Sequence, residues 1–191
     1  MTIWMVNKMF LNAKIETDRL ILRPLIEEDV VPIFKMATEP NHFTYQPDTP
    51  PADVTEIENM VQWSKNCNQK NTPEKIYKFN LAFVLKETLE TIGIGGLGPH
   101  DIDPQEIEIY YGIQEAFQER GFTSEAAEAI LNYGFNTIGL KKVIATVHPE
   151  NTASKRIIEK LGKNDCKILS GLTGENSAFN SYLLYTLVKS E

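Results

Sequence analysis

Two carboxylates on one strand, and a glycine turn shortly after it, are the residues of this 191-residue chain best placed to do chemistry. In Glu106-Ile107-Glu108-Ile109-Tyr110-Tyr111-Gly112-Ile113 the alternation of an extended strand puts Glu106, Glu108 and Tyr110 on one face. Ile107, Ile109, Tyr111 and Ile113 take the other. A carboxylate on such a face can accept a proton from a reacting group. It can equally be a solvated charge, or the partner of Arg23 or Lys78. The following segment, Gln118-Glu119-Arg120-Gly121-Phe122-Thr123-Ser124-Glu125, turns into an alanine-rich helix. A turn of this kind can aim several unpaired N–H groups at one anion, and the helix dipole adds favourable potential, as a pyrophosphate requires. Arg120 would add charge, and Gly121 would leave room for close approach. The same residues also fit an ordinary turn capped by Thr123 or Ser124, with Glu125 or Glu128 completing a capping box.

The rest of the chain must supply elements that hold this strand and turn in place. Leu20, Ile21 and Leu22 form a short first strand closed by Pro24, and Val30, Ile33, Phe34 and Ala37 recur at helical spacing until Pro40. Residues 41–52 form a loop offering His42, Phe43 and Tyr45, and Asp53 can cap a helix carrying Val54, Ile57, Val61 and Trp63. That helix is expected to end in the polar segment 66–73, which contains Cys67. Residues 76–85 and 91–97 read as a hairpin, 106–113 as a further strand and 124–138 as a helix. Residues 143–147 read as a buried strand, 151–161 as a helix stopped by Gly162, and 182–188 as a last strand. Gly93-Ile94-Gly95-Gly96-Leu97-Gly98 satisfies G-x-G-x-x-G, but the turn-forming Pro99-His100-Asp101-Ile102-Asp103-Pro104 follows where a dinucleotide site needs a helix. The glycines fit a strand that another backbone approaches closely.

Composition narrows the setting. No apolar run approaches the ~20 residues of a membrane-spanning helix, and residues 1–11 lack the organisation of a signal peptide. Cys67 and Cys166 form neither a C-x-x-C pair nor a disulfide framework, so a cytoplasmic protein is expected. A net charge of −7 disfavours nucleic acid as a partner and would attract a cationic substrate. His42, His100 and His148 are isolated in sequence, and no metal is expected.

A second stretch gives the glycine turn a context. His148-Pro149-Glu150-Asn151-Thr152-Ala153-Ser154-Lys155-Arg156-Ile157-Ile158-Glu159-Lys160-Leu161-Gly162 is a strand exit, then an asparagine-started helix ending in glycine. Together the two resemble the GNAT superfamily of acyl-coenzyme A transferases, the first its Q/R-x-x-G-x-G/A pyrophosphate loop and the second its N-x-x-S/A helix ending in E-K-x-G. Thr17-Asp18-Arg19-Leu20-Ile21-Leu22-Arg23-Pro24 is similar to the T-x-R-L-x-L-R opening of the N-terminal alanine acetyltransferases of ribosomal proteins. Glu108-Ile109-Tyr110-Tyr111 resembles that branch's E-x-G-Y run, with Tyr110 in place of glycine. The chain departs from the pattern at Thr123, Lys163 and Ser181. It departs also at Ile158, where many members carry a tyrosine that protonates the leaving thiolate.

The resemblance implies an α+β fold: one domain over residues 15–191, after an N-terminal extension over 1–14, with a mostly antiparallel sheet flanked by helices and a splayed strand pair at the cofactor site. It implies an N-acetyltransferase using acetyl-CoA as cosubstrate, its acceptor a primary amine, in the first instance a protein N-terminal α-amine. A polyamine, aminoglycoside or amino-acid-like acceptor, or a silent acyl-CoA-binding module, are the alternatives. The amides of Gln118, Glu119, Arg120, Gly121, Phe122 and Thr123 would hold the pyrophosphate, and the strand around Ile113 would pair with the pantetheine amides. Asn151 would orient the pantetheine arm, and Ser154 would lie near the sulfur. Plain N-capping is the alternative role for Asn151. Glu108 is the candidate base, with Glu106 on the same face, and Ser154, Tyr110 or a water the candidate acid. Residues 41–52 and 172–177 are expected to shape the acceptor cleft, with no membrane or nucleic-acid partner and a monomer or homodimer as the assembly.

Overall fold

Phe79–Leu85 is buried along its whole length, and the sheet is built around it. This computed structural model describes residues 9–162 and 165–189. Residues Ile3, Trp4, Met5 and Val6 of the expected extension, and Lys163, lie outside the described residues. In chain order the elements are β1 (Ile15–Glu16), β2 (Leu20–Pro24), α1 (Val30–Ala37), α2 (Val54–Lys70), β3 (Phe79–Leu85), β4 (Thr91–Pro99), β5 (Ile107–Ile113), α3 (Phe122–Tyr133), β6 (Lys142–Val147), α4 (Thr152–Lys160), β7 (Asp165–Ile168) and β8 (Leu183–Val188). Eight strands form one sheet in the order β1-β2-β3-β4-β5-β6-β8-β7, antiparallel throughout except where β5 meets β6. This is the mixed, mostly antiparallel fold expected.

The alternation of β3 feeds two cores. Phe79, Leu81, Phe83 and Leu85 join the larger, with Ala126, Ala127 and Ile130 of α3 and Ile158 of α4, whereas Ala82 and Val84 join Ile33 of α1 and Val61 of α2 on the opposite face. Each large apolar side chain so buried contributes roughly 1.5–3 kcal/mol. Phe10 and Ala13 belong to the larger core. Asp29, fully buried, ties β2 to α1 and β4. It accepts two bonds from Arg23 (2.7 and 2.9 Å), one from the Ile26 amide and one from the Thr91 hydroxyl. Arg23 is therefore committed to Asp29 and forms no ion pair with Glu108.

Several boundaries differ from the expectation. α2 continues through the polar segment to Lys70, because Ile57, Val61, Ser64 and Cys67 keep one face buried, while Trp63 is 49% exposed. β3 begins at Phe79 and not at residue 76, since Asn71 ties up the preceding backbone through the Lys78 carbonyl and the Tyr77 amide. α3 starts at Phe122 and passes at Gly134–Ile138 into a turn of π-helix. β1 and β7 are too short or too exposed to leave a pattern in the sequence.

The glycine-rich run is strand β4, and close backbone approach explains it. A Cβ at Gly96 would overlap the backbone carbonyl oxygen of Phe79. Gly96→Ala is therefore expected to lower stability by about 1–3 kcal/mol, the usual cost of forcing volume into a packed interior. Denaturant unfolding checks this, and an unchanged midpoint would show that the two strands separate without cost.

Candidate active site at the β5–β6 fork

Sheet pairing between β5 and β6 stops almost at once, and the failure opens the cleft. β4 and β5 pair from Gly93↔Ile113 to Pro99↔Ile107, and β6 and β8 pair along six residues, but β5 and β6 meet only at Glu108↔Ile144. Beyond that pair the strands part. The resulting cleft, of about 280 Å³, has Ile109 and Tyr111 on one side and Ala145, Thr146 and Val147 on the other. Asn151 and Ser154 of the following helix start also line it, as do His42, Tyr45 and Asp48 of the 41–52 loop. The other wall differs from expectation. Phe179 and Tyr182 line it, whereas residues 172–177 do not, because Asn180 folds that loop onto itself through the amide and carbonyl of Leu172.

The turn before α3 leaves its amides open. Gly121, at φ +80°, occupies the N-cap position and offers no side chain to cap the helix. Glu119 is also left-handed, at φ +59°. Glu125 completes no capping box: it accepts bonds from the Thr17 hydroxyl (2.6 Å), the Arg19 amide (2.8 Å) and Arg19 Nε (2.7 Å). Burial works against its charge, but these bonds prevail and hold its pKa below the usual value. The amides of residues 119–124 have no acceptor among the described residues. Gln118 differs from the expected set, since its amide donates to the Glu115 carbonyl. Arg19 closes the turn from beneath, donating to the Arg120 carbonyl (2.9 Å) and lying 4.3 Å over the Phe122 ring. Arg120 lies 5.4 Å over the same ring. Open amides, a helix N-terminus and the Arg120 guanidinium together suit a phosphate-bearing ligand, while Arg19 is paired with Glu125. The pairing of Arg19 with Glu125 has no signal in the sequence, where Glu125 reads as a capping acid and Arg19 only as part of the opening motif.

Glu108 sits where the fork begins. Its Oε1 accepts a 2.8 Å bond from the Thr146 amide, so the carboxylate takes a ladder bond that β5 no longer supplies. Burial pushes its pKa above the ordinary value; the Thr146 bonds and the nearness of His100 pull against this, and Asp101 adds to it. Glu106, by contrast, is paired with Lys142 at the outer end of the strand. Lys78 lies 4.0 Å over the Tyr110 ring, and no carboxylate forms an ion pair with it among the described residues. Tyr110 donates its hydroxyl to Asn80, and burial raises its pKa well above the ordinary value. Tyr111 is likewise raised by burial, against a contact with Ser154. Asn151 caps α4, its Oδ1 accepting from the Ser154 amide (3.0 Å), while still facing the cleft. Ile158 is fully buried in the larger core, and its apolar side chain can protonate nothing. Ile113 lies at the β5 end of the fork, with its side chain in that core. No cluster of three or more metal-ligating side chains occurs among the described residues.

A model of the Acetyltransferase (GNAT) domain matches residues 19–164, more than half of the chain. The chain belongs to this family. It is 27% identical over 175 residues to p20, an uncharacterized N-acetyltransferase of Bacillus licheniformis, covering 92% of this chain and 96% of p20. Two of the solved structures that share its fold bear on the ligand and the acceptor. One, from Vibrio cholerae and provisionally named a ribosomal-protein-serine acetyltransferase, superposes with a TM-score of 0.73 at 15% identity, covering 93% of this chain and 98% of its own. The other, Mycobacterium smegmatis RimJ in complex with CoA-disulfide, has a TM-score of 0.71 at 18% identity, covering 92% and 87%. Membership of the GNAT family makes the chain an acetyl-transferring enzyme.

Gly121 gives a direct test of the open turn. Its Cβ would meet only Arg19 Nη2, at 3.4 Å, so the obstacle to a side chain there is the left-handed backbone and not space. Gly121→Val is expected to leave the protein folded and to weaken acetyl-CoA binding at least roughly tenfold, because the amides lose their common aim. Titration calorimetry checks this, and unchanged affinity in a folded variant would remove the ligand from the turn.

Proposed function

We propose that this GNAT enzyme transfers the acetyl group of acetyl-CoA to a primary amine, in the first instance the α-amine of a protein N-terminus, with Glu108 as the base. The observation that carries this reading is the fork itself. It opens a cleft with a partly buried carboxylate of raised pKa at its inner end, and β5, one of its two strands, runs on toward the turn of open amides. In this reading the amides of residues 119–124 hold the pyrophosphate, the parted edge near Ile113 pairs with the pantetheine amides, and Asn151 and Ser154 stand beside the thioester. The CoA-disulfide complex of RimJ, which shares the fold, supports the choice of ligand.

Amide formation needs a neutral amine. An α-amine, with a reference pKa of about 7.7–8.0 against about 10.4 for lysine, asks little of a carboxylate base. Glu108, directly or through a water, takes the proton as the nitrogen attacks the thioester carbonyl. The C–S bond then breaks, and coenzyme A leaves as a thiolate that the Ser154 hydroxyl or a water can protonate. The provisional name of the Vibrio cholerae structure supports a protein N-terminus. A small amine is the second reading, favoured by the aromatic run Tyr45–His148–Tyr182, with centroids 5.3 and 5.0 Å apart, which joins the two walls of the cleft. Both cysteines are free, Cys67 buried and Cys166 exposed, which fits a reducing, cytoplasmic setting. No helix among the described residues is long and apolar enough to cross a membrane.

Thiol release from acetyl-CoA, measured against peptides beginning with alanine or serine and against polyamines and amino acids, distinguishes the acceptors. Glu108→Gln is expected to keep acetyl-CoA affinity and to lower the rate by about 10²- to 10⁴-fold. Because a raised pKa leaves the carboxyl protonated to a higher pH, wild-type kcat should fall on the acid side above the ordinary carboxylate range. The deficit of Glu108→Gln should shrink at alkaline pH, where the amine is already neutral. Wild-type rates and an unaltered pH profile in Glu108→Gln would show that this carboxylate is not the base.

A further inference from the structure

Next to Glu108, and linked to it through Thr146, stands a histidine that the proposed chemistry does not use. His100 is only 4% exposed, in the turn that follows β4. The Asp103 amide donates to its Nδ1 at 3.3 Å, and its Nε2 lies 3.0 Å from the Thr146 hydroxyl. A backbone amide can only donate, so Nδ1 accepts and the neutral ring carries its proton on Nε2. That N–H then donates to Thr146 Oγ1. With one lone pair so occupied, the hydroxyl is left to donate its own proton, and the Glu108 carboxylate, already bonded to the amide of the same threonine, is the acceptor beside it.

We propose that His100 and Thr146 are positioning residues for Glu108, a fixed-polarity chain that holds the carboxylate ionised and aimed across the fork. The proposal rests on the reading of Glu108 as the base. The chain runs one way: with Nδ1 occupied by the Asp103 amide, the imidazole cannot accept a proton back from Thr146 while that bond stands. It is therefore a donor that sets direction and acidity, and not an exit for the proton taken from the amine, which leaves through the cleft.

The surroundings of Glu108 show why such a chain is useful. Asp101, adjacent to His100, disfavours its charge, and burial does so more strongly. On the other side stands the Lys78 ammonium over the Tyr110 ring, itself pushed down by burial and held up by Asp101, Glu108 and Asp48. Lys142 is engaged by Glu106. Thr146, from β6, thus supplies with its amide and hydroxyl the donors that keep Glu108 a base, and His100 fixes which way that hydroxyl points.

Thr146→Val keeps the amide and the shape but removes the hydroxyl. Loss of a donor to a carboxylate lets its pKa rise, so the acid limb of kcat should move up by about one pH unit. At neutral pH kcat should fall roughly tenfold, with the KM for acetyl-CoA within about twofold of wild type. His100→Phe should reproduce both changes, and His100→Gln, whose amide can donate from near the Nε2 position, should restore most of the rate and the original limb. The double variant Thr146→Val/His100→Phe should be no worse than either single one, since both break the same chain. An acid limb that stays put in folded Thr146→Val, while Glu108→Gln still loses its rate, would overturn the chain and leave the base in place. A wild-type rate in Glu108→Gln would overturn both. Thr146→Val alone decides the matter if His100→Phe fails to fold.

Discussion

Parallel strands β5 and β6 exchange contact at Glu108↔Ile144 and then separate, and the chemistry available to this chain follows from that separation. Two adjacent strands that stop pairing expose backbone N–H and C=O groups, and exposed edges inside a sheet require partners. Here the Glu108 carboxylate meets one of those needs by accepting from the Thr146 amide. An extended ligand with amide groups, such as a pantetheine arm, is suited to meet the rest. One local break in pairing thus accounts for a cleft, for a partly buried carboxylate at its end and for the kind of ligand that the gap would take.

A break of this kind is tolerable only between firm halves. On one side β4 presses against β3 so closely that Gly96 has no space for a side chain, and Asp29 locks Arg23, Ile26 and Thr91 into one buried network. On the other side β6 and β8 pair along their length. The turn before α3 is fastened separately. Arg19, Thr17 and Glu125 bind the start of β2 to the first turn of the helix, so the ligand-facing amides are held from beneath by side chains that do not occupy them. Glu125, a capping acid by its place in the sequence, is bound to Thr17 and Arg19 and caps no amide of the turn.

Period-two and helical patterns made most elements legible, because their faces are either buried or exposed: β5 and the strongly apolar α3 follow directly from the spacing of Ile109, Ile113, Ala126 and Ile130. The rejected glycine motif was legible too, since only a helix after Gly98 would have suited a nucleotide. Long-range contacts were not. Nothing in the spacing of Thr17, Arg19 and Glu125 announces that they meet, nor that His100 and Glu108 are joined through Thr146, because these pairings depend on how the sheet folds over more than the local chain. The wall formed by Phe179 and Tyr182 was hidden for a similar reason, as the Asn180 side chain decides which part of its loop faces inward.

The most direct test of this account is a crystal structure of the protein with coenzyme A. Pyrophosphate oxygens are expected within hydrogen-bonding distance of the amides of residues 119–124, with the pantetheine arm lying between β5 and β6 and its sulfur near Ser154. Coenzyme A bound elsewhere, or β5 and β6 paired along their whole length in the complex, would contradict it.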